Sequence, residues 1–264
     1  MSSCLFQPWL LLLACQPSIP SDTYRSSGEI PVPNGYTRVS VAAGSFGEWL
    51  RQRKLKTNNT VYLYNGEPKR NQGAQFAVLD ISTGSKDLQQ CADAAIRLYA
   101  EYLYGSKQYD QIVFNATDGT AMDYKSWRQG YRFVLRRQHL QKIKIAAASA
   151  SRESFDQYLE QVFSYAGTLS LSRQLKPVRN NHDIKPGDMF VQGGSPGHAV
   201  IVMDVAINTA GEKIFMLAQS YMPAQDMHIL KNPRNDSPWY PEDFGNTLLT
   251  PEWTFQKNTL YSWK

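Results

Sequence analysis

One cysteine and one histidine carry the clearest chemistry in the sequence. Cys91 lies in the segment Leu88-Gln-Gln-Cys-Ala-Asp93, and His198 follows a glycine-rich corner and precedes the apolar run 199–203. An imidazole beside a thiol can take the thiol proton and later return it to a leaving group. The residue types therefore offer Cys91 as a nucleophile and His198 as its base.

A third polar group is needed to fix the tautomer of the histidine. Gln219 is our first candidate, because it stands near the end of the strand expected to return beside His198. Asp204 is a weaker candidate, since six residues along the same strand is roughly 20 Å. Asp188, before the preceding strand, is a further candidate. Gln90 could stabilise an oxyanion together with the Cys91 backbone N–H.

The corner before His198 predicts a binding surface. It has no following helix and no lysine of a phosphate loop, so we expect it to let backbone approach a substrate. The residues predicted to contact substrate are Gly194, Ser195, Gly197, Ser220 and Tyr221. No metal-binding spacing of His or Cys is present, and no metal or cofactor is predicted.

A structural interpretation competes with the catalytic one. Cys91 lies on the apolar stripe of its helix, and unpaired cysteine is among the most buried residue types. His228 is expected at the surface or at a strand end. The aromatic content of 12%, with six Trp, would also suit a cleft that stacks on carbohydrate.

The periodicity predicts an α+β fold in which helices pack on a central antiparallel sheet. Ser85 or Asp87 can cap the cysteine helix, which would put Cys91 in its second turn, where the helix dipole is weaker. Two more helices are expected, at 124–132 and 155–165. The strands 199–206 and 214–218 should pair through the turn at 208–211, and 227–230 adds another strand.

The first residues predict export. Residues 1–15 resemble a signal peptide whose Leu12-Leu-Ala-Cys15 is similar to a lipobox, with Cys15 as the lipidation site. Gln16 after the cysteine favours outer-membrane sorting, with the membrane contacted through the lipid anchor. Residues 16–30 predict a flexible tether, and residues 31–264 a single domain. Cys91 is then the one cysteine of the domain.

The charge predicts no nucleic-acid partner. The formal net charge of +5 comes from scattered Lys and Arg, which suits a solvated face. We expect a monomer.

The cysteine helix followed by a histidine-led sheet resembles the layout of papain-like cysteine hydrolases. Residues 186–220 resemble the histidine segment of NlpC/P60- and CHAP-type peptidoglycan hydrolases, in which a Gly-Asp strand precedes a Gly-His strand. Those families carry Asp-Cys where this chain has Gln90-Cys91. The resemblance implies a papain-like fold and a cysteine peptidase or amidase.

Longer motifs resemble an exported Bacteroidetes family catalogued as domain of unknown function 4846. The segments that carry this resemblance are 88–93, 101–103, 165–171, 194–199 and 218–225. It implies an exported bacterial protein and carries no established activity. From the residues we expect a cell-envelope thiol hydrolase of peptidoglycan-type amide bonds; the alternative is a non-catalytic lipoprotein that binds a glycan or another cell-wall ligand.

Overall fold

The structure is a computed structural model that describes residues 24–264. The predicted signal peptide, with the predicted lipidation site Cys15, lies outside the described residues. Within the described range the α-helices are α1 (Phe46–Arg51), α2 (Cys91–Gly105), α3 (Tyr124–Arg128), α4 (Arg152–Tyr165) and α5 (Thr168–Gln174). In this same range, no helix is long and apolar enough to cross a bilayer.

The strands alternate with these helices and then dominate the C-terminal half. They are β1 (Tyr36–Arg38), β2 (Gln75–Val78), β3 (Val113–Asn115), β4 (Ala121–Asp123), β5 (Tyr131–Arg136), β6 (His139–Lys144), β7 (Lys176–Pro177), β8 (Met189–Gln192), β9 (His198–Asn208), β10 (Lys213–Gln219), β11 (His228–Leu230), β12 (Trp239–Pro241), β13 (Thr247–Leu249), β14 (Thr254–Gln256) and β15 (Leu260–Ser262).

A nine-stranded sheet forms the centre of the fold, in the order β2-β11-β10-β9-β8-β15-β7. Strand β1 also pairs with β9, and β12 with β10. All these pairings are antiparallel. The predicted α+β class with an antiparallel sheet is therefore confirmed.

Strand β9 is apolar along most of its length because both of its faces are covered. Ala199, Ile201 and Met203 join the core that α2 covers. Val200 and Val202 face a second core built with aromatic residues of the C-terminal segment. This explains why the sequence shows a continuous apolar run instead of alternation.

The N-terminal segment is held against β9 by one buried carboxylate. Asp204 is 1% exposed, and its two oxygens accept hydrogen bonds from Arg38 Nε at 2.6 Å and Arg51 Nε at 2.8 Å. Because Arg38 lies on β1 and Arg51 ends α1, these contacts tie both elements to the sheet. Asp204 was a candidate for fixing the tautomer of His198, but it accepts hydrogen bonds from these two arginines instead.

The segment 24–30, assigned to the tether by the sequence, packs against the domain. Residues Ser27–Glu29 form a 3-10 turn, and Ile30 is fully buried. Ser26 forms a β-bridge with Lys54.

The predicted helix 124–132 is shorter than expected. It ends at Arg128 because Gly130 has a positive φ of 94°, which is disfavoured for other residues and typical of a helix end. The chain then forms the β5–β6 hairpin. Its turn uses Arg137 and Gln138 at positive φ, and the sequence there carries none of the glycine or asparagine that signals such a turn.

Removing the Asp204 carboxylate tests how the N-terminal segment is attached. Asp204→Ala leaves Arg38 and Arg51 without their partner, and we expect the free energy of unfolding to fall by ~3–5 kcal/mol. Asp110→Ala is the control, since the Asp110–Lys125 pair is exposed on both sides and should be worth less than ~1 kcal/mol. Urea unfolding at neutral pH measures both. Equal losses in the two variants would contradict this account.

Candidate active site

Cys91 is the first residue of α2, not part of its second turn. Gln90 is the N-cap, and its backbone N–H donates to Asp93 Oδ2 at 3.1 Å. The expected start at Ser85 or Asp87 was wrong because Asp87 caps another group: its Oδ1 accepts from the backbone N–H of Ala224 at 2.6 Å. The thiol thus sits where the helix dipole favours a thiolate most.

Burial outweighs that advantage. Cys91 is 8% exposed. Desolvation, with a smaller contribution from Asp93, raises the pKa of its thiol to about 11, although the N–H groups of Ala92, Ala199 and Cys91 itself favour the thiolate. The thiol is therefore un-ionised at neutral pH.

The sulfur lies at the open end of a strand pair. The register between β9 and β10 ends at Ile201↔Ala218, so Ala199 is beyond the last pair. Its N–H lies close to Cys91 Sγ and favours the thiolate. The inner side of the thiol, among Leu98, Ile201 and Met227, is too tightly packed to admit a water.

His198 is held by the side chain that the sequence selected. It is fully buried at the start of β9, and its Nε2 lies 2.8 Å from Gln219 Oε1 at the end of β10. Around the ring lie Tyr221, Trp253 and Phe255, with centroids 4.9, 5.2 and 5.7 Å away. Trp253 is itself fixed through Nε1, which donates to Gln192 Oε1.

The orientation of the Gln219 amide follows from its other partner. Glu252 Oε2 lies 2.7 Å from Gln219 Nε2. An ionised carboxylate only accepts hydrogen bonds, so Nε2 must face Glu252 and Oε1 must face His198. His198 consequently carries its proton on Nε2 and presents an unprotonated Nδ1.

His228 completes the hydrogen bonding of that amide. It is fully buried, contrary to the surface or strand-end position expected from the sequence. Its Nδ1 lies 2.9 Å from the Asp226 carbonyl, which can only accept. Its Nε2 is then free to accept from Gln219 Nε2 at 3.4 Å.

Lys69 balances the charge of Glu252 inside the protein. The ammonium lies 2.6 Å from Glu252 Oε2, and the two side chains are 6% and 12% exposed. Desolvation lowers the pKa of Lys69, whereas its hydrogen bond to Glu252 raises it. Neither residue has a motif in the sequence that marks it. Glu252 is 33 positions from Gln219 along the chain and Lys69 is 150, so only the fold brings them together.

The catalytic candidates are therefore brought together in part. His198 and Gln219 are in contact, and Gln219 also lines the small void beside Cys91. Nδ1 of His198 is buried and has no hydrogen-bond partner among the described residues, so the Cys91 thiol does not bond to it. The His198 ring packs against Tyr221, Trp253 and Phe255. The Cys91 side chain instead lies beside Ile201, on the face of β9 that α2 covers.

The other candidates have mixed environments. Gln90 Nε2 donates to Asp87 Oδ1 at 3.0 Å, turning the amide away from an oxyanion role in this arrangement. Asp188 accepts from Lys185 Nζ at 2.8 Å and, like Asp204, is not the histidine's partner.

The predicted substrate-contacting residues also differ among themselves. Ser195 is exposed, and Gly194 and Gly197 are half-buried. A side chain at Gly197 would clash with Thr168 Oγ1 and two carbonyl oxygens, so this glycine is required by close packing. Ser220 is fully buried, with its hydroxyl 2.9 Å from the carbonyl oxygens of Gln89 and Gln225. Tyr221 is half-buried beside His198.

In the described part of the chain, no three His, Cys, Asp or Glu side chains cluster as a metal site would require. The polar side chains around His198, which are Gln219, Glu252 and Lys69, instead form hydrogen bonds with one another.

The tautomers of the two buried histidines test the hydrogen-bond chain. Long-range ¹H–¹⁵N correlation spectra of the protein at pH 7 should show His198 protonated at Nε2 and His228 at Nδ1. His139, which is largely exposed, is the internal control and should average between tautomers. A His198 ring protonated at Nδ1 would mean that the Gln219 amide is reversed.

Acid stability gives a second test. Desolvation lowers the pKa of His198 to about 4 and that of His228 to about 3, below the 6.5 of a free imidazole. The unfolded chain therefore takes up protons first, so the stability that neutral His228 contributes above pH 6.5 is lost as pH falls toward 3. Between pH 6.5 and 5 this loss is on the order of 2 kcal/mol.

His228→Gln, whose amide can still accept from Gln219, should show a shallower fall in unfolding free energy over that pH range. Asp93 and Asp188, whose pKa values are raised by burial, act in the opposite direction but equally in both proteins. Gln138→Asn, at an exposed position of the β5–β6 turn, is the control and should keep the wild-type slope. Parallel profiles for the His228 variant and the wild type would contradict a buried neutral His228.

Comparison with known proteins gives one match. Residues 27–262 match the family described as "Domain of unknown function (4846)". Neither the curated proteins nor the solved structures contain a match to this chain. The match spans most of the chain and all of the site, and the chain therefore belongs to the domain of unknown function 4846 family.

Proposed function

We propose that the protein is a thiol hydrolase of amide bonds, a peptidase or amidase with a papain-like arrangement of cysteine and histidine. The observation that carries the proposal is the buried, unprotonated Nδ1 of His198, which Gln219 and Glu252 fix and which has no hydrogen-bond partner among residues 24–264. A lone pair held in this way is costly unless something uses it. We propose that the Cys91 thiol, at the start of α2 beside the same strand, is the group that uses it.

The reaction begins from a neutral pair. Sγ of Cys91 must first come within hydrogen-bond reach of Nδ1, and catalytic contacts are often longer before substrate binds. We propose that a rotation of the Cys91 side chain past the start of β9, where the pairing with β10 has ended, supplies this movement. His198 Nδ1 then takes the thiol proton as Sγ attacks the substrate carbonyl.

The thiol proton then reaches the leaving amine, and the C–N electron pair leaves with that amine. The S–C bond forms, the C–N bond breaks, and the imidazolium returns its proton to the leaving amine. A water, deprotonated by the same Nδ1, hydrolyses the thioester and regenerates the thiol. The Gln219 oxygen stabilises the imidazolium through Nε2–H, and Glu252 with Lys69 holds Gln219 in place.

Oxyanion stabilisation in this mechanism comes from the backbone. The N–H groups of Cys91 and Ala92 lie at the start of α2 near Sγ, and helix N-terminal N–H groups favour negative charge. Gln90 could join them only after leaving Asp87.

The sequence also supports a proposed setting. The signal peptide and the lipobox-like segment ending at Cys15 favour an exported protein anchored by lipid to the outer membrane. In that setting peptidoglycan peptides are the amide substrates at hand. We propose these as the substrate class.

The alternative function is binding without catalysis. The raised pKa of Cys91 and its burial suit a structural thiol. A separate cavity of about 240 Å³, lined by Phe46, Tyr99, Tyr102 and Trp263, has the aromatic walls of a saccharide site. A glycan-binding lipoprotein is the function that these features favour.

Hydrolysis assays decide between the two. The purified protein is incubated with peptidoglycan fragments and synthetic peptide amides, and new amines are detected by mass spectrometry. We expect cleavage by the wild type and none by Cys91→Ala, with its melting temperature as a check of folding. His198→Asn should lose about 100-fold or more. Cleavage that persists in Cys91→Ala, or an inactive wild type that binds glycan, refutes the proposal.

The pH profile identifies the resting state of the pair. With the pKa of His198 at about 4 and that of Cys91 at about 11, kcat/KM should be flat from pH 5 to pH 9. It should also be slower in D₂O, since a proton moves in the transition state. A bell-shaped profile inside that range would indicate a preformed thiolate–imidazolium pair instead.

A further inference from the structure

A pocket lies beside the start of α2. It has a volume of about 270 Å³ and is bounded by the loop 82–89, α2 and α4. Leu88, Leu159 and Phe163 form its apolar wall, and Gln89 and Arg97 contribute polar groups. A space of this size holds one small residue, not a length of chain.

Gln89 has one amide nitrogen that nothing in the described structure satisfies. The side chain is 1% exposed. Its Oε1 accepts from Arg97 Nη1 at 3.2 Å, which leaves the Nε2 hydrogens for another acceptor. Nε2 is buried and has no hydrogen-bond partner among residues 24–264. A buried donor without an acceptor costs free energy, which an acceptor placed in the pocket would recover.

The acidic side chains do not supply that partner: Asp156 and Glu160 line the pocket, but no acceptor among the described residues lies within hydrogen-bond distance of Gln89 Nε2, and each carboxylate bonds to a cation instead. Asp156 bonds to Arg152, and Glu160 bonds to Lys86 at 2.6 Å. Glu101 accepts from Arg97 Nε at 2.7 Å. The unused capacity of the pocket is therefore that of a donor.

A carboxylate fits this arrangement better than a single carbonyl. Its two oxygens can accept from Gln89 Nε2 and from the adjacent Arg97 guanidinium, which presents donors in a planar fork. The apolar wall suits a short aliphatic group beside the carboxylate.

We propose that this pocket binds the free carboxylate of a small terminal residue of a peptide. Gln89 stands two residues before Cys91, a chain separation of at most ~7 Å. The Gln89 carbonyl is also 2.9 Å from the Ser220 hydroxyl, next to the Gln219 that orients His198. The role in catalysis rests on the proposed function: the residue held here is the leaving group, and the amide before it reaches Cys91.

Binding is measured without catalysis. The Cys91→Ser protein is titrated with N-acetyl-alanine and with its primary amide, following the Gln89 side-chain NH₂ signals by NMR. We expect saturable binding of the acid, with shifted Gln89 signals, and at least tenfold weaker binding of the amide, since the neutral amide loses charge-assisted hydrogen bonds.

Gln89→Glu is the informative variant. It keeps an oxygen for Arg97 and replaces the free donor with an acceptor, so the fold is retained while affinity for the acid falls at least tenfold. Gln89→Met is a second variant if the first misfolds, with the melting temperature of each recorded. Gln138→Glu, which makes the same change at an exposed position of the β5–β6 turn, is the control and should bind within about twofold of the parent, a smaller change than the loss of one hydrogen bond would cause.

Three results overturn the proposal: no saturable binding of the acid, equal binding of the acid and amide, or unchanged affinity in Gln89→Glu. Failure of the proposed function is a separate outcome. If the acid binds as expected and no amide is hydrolysed, the pocket stands and the hydrolase does not. If peptides are hydrolysed equally with free and amidated ends, the hydrolase stands and the pocket does not.

Discussion

The hydrogen bond from Gln219 Nε2 to Glu252 determines the chemistry of the site. A carboxylate cannot donate, so this one contact fixes both ends of the amide and, through it, the tautomer of His198. The arrangement needs Glu252 to remain charged inside the protein, and the Lys69 ammonium makes that possible. Without the hydrogen bond from Gln219, the desolvation free energy of the buried Lys69–Glu252 pair would exceed the attraction between the two charges. His198, the Gln219 amide that sets its tautomer and the Lys69–Glu252 pair that holds this amide therefore stabilise one another.

The thiol illustrates two opposing effects at one position. The first turn of α2 and the N–H of Ala199 favour a thiolate at Cys91, while burial favours the thiol. Burial prevails in this closed arrangement. Any catalysis must then begin from a neutral thiol and a neutral imidazole, which makes the free lone pair of His198 more important than a preformed ion pair.

The C-terminal segment has a larger part in the site than its sequence suggests. Its aromatic, proline-rich pattern predicts a covering for the core, and Phe255 does occupy the second core. The same segment also supplies Trp253 against the His198 ring and Glu252 against Gln219. Patterns of hydrophobicity predict which residues are buried. They do not predict which buried polar groups form hydrogen bonds with each other.

The sequence by itself determined the antiparallel sheet and the position of His198 at the start of β9, and it favoured Gln219 over Asp188 and Asp204 as the neighbour of that histidine. These follow from local signals: an apolar run, a turn at 208–211 and the distance along two paired strands. The start of α2 was not determined locally, because Asp87 could cap a helix equally well and is instead used by Ala224. Tertiary structure also decided the burial of His228, the Lys69–Glu252 pair and the separation of Cys91 from Nδ1. Each depends on contacts between residues far apart in the chain, and such contacts leave no spacing in the sequence to be read.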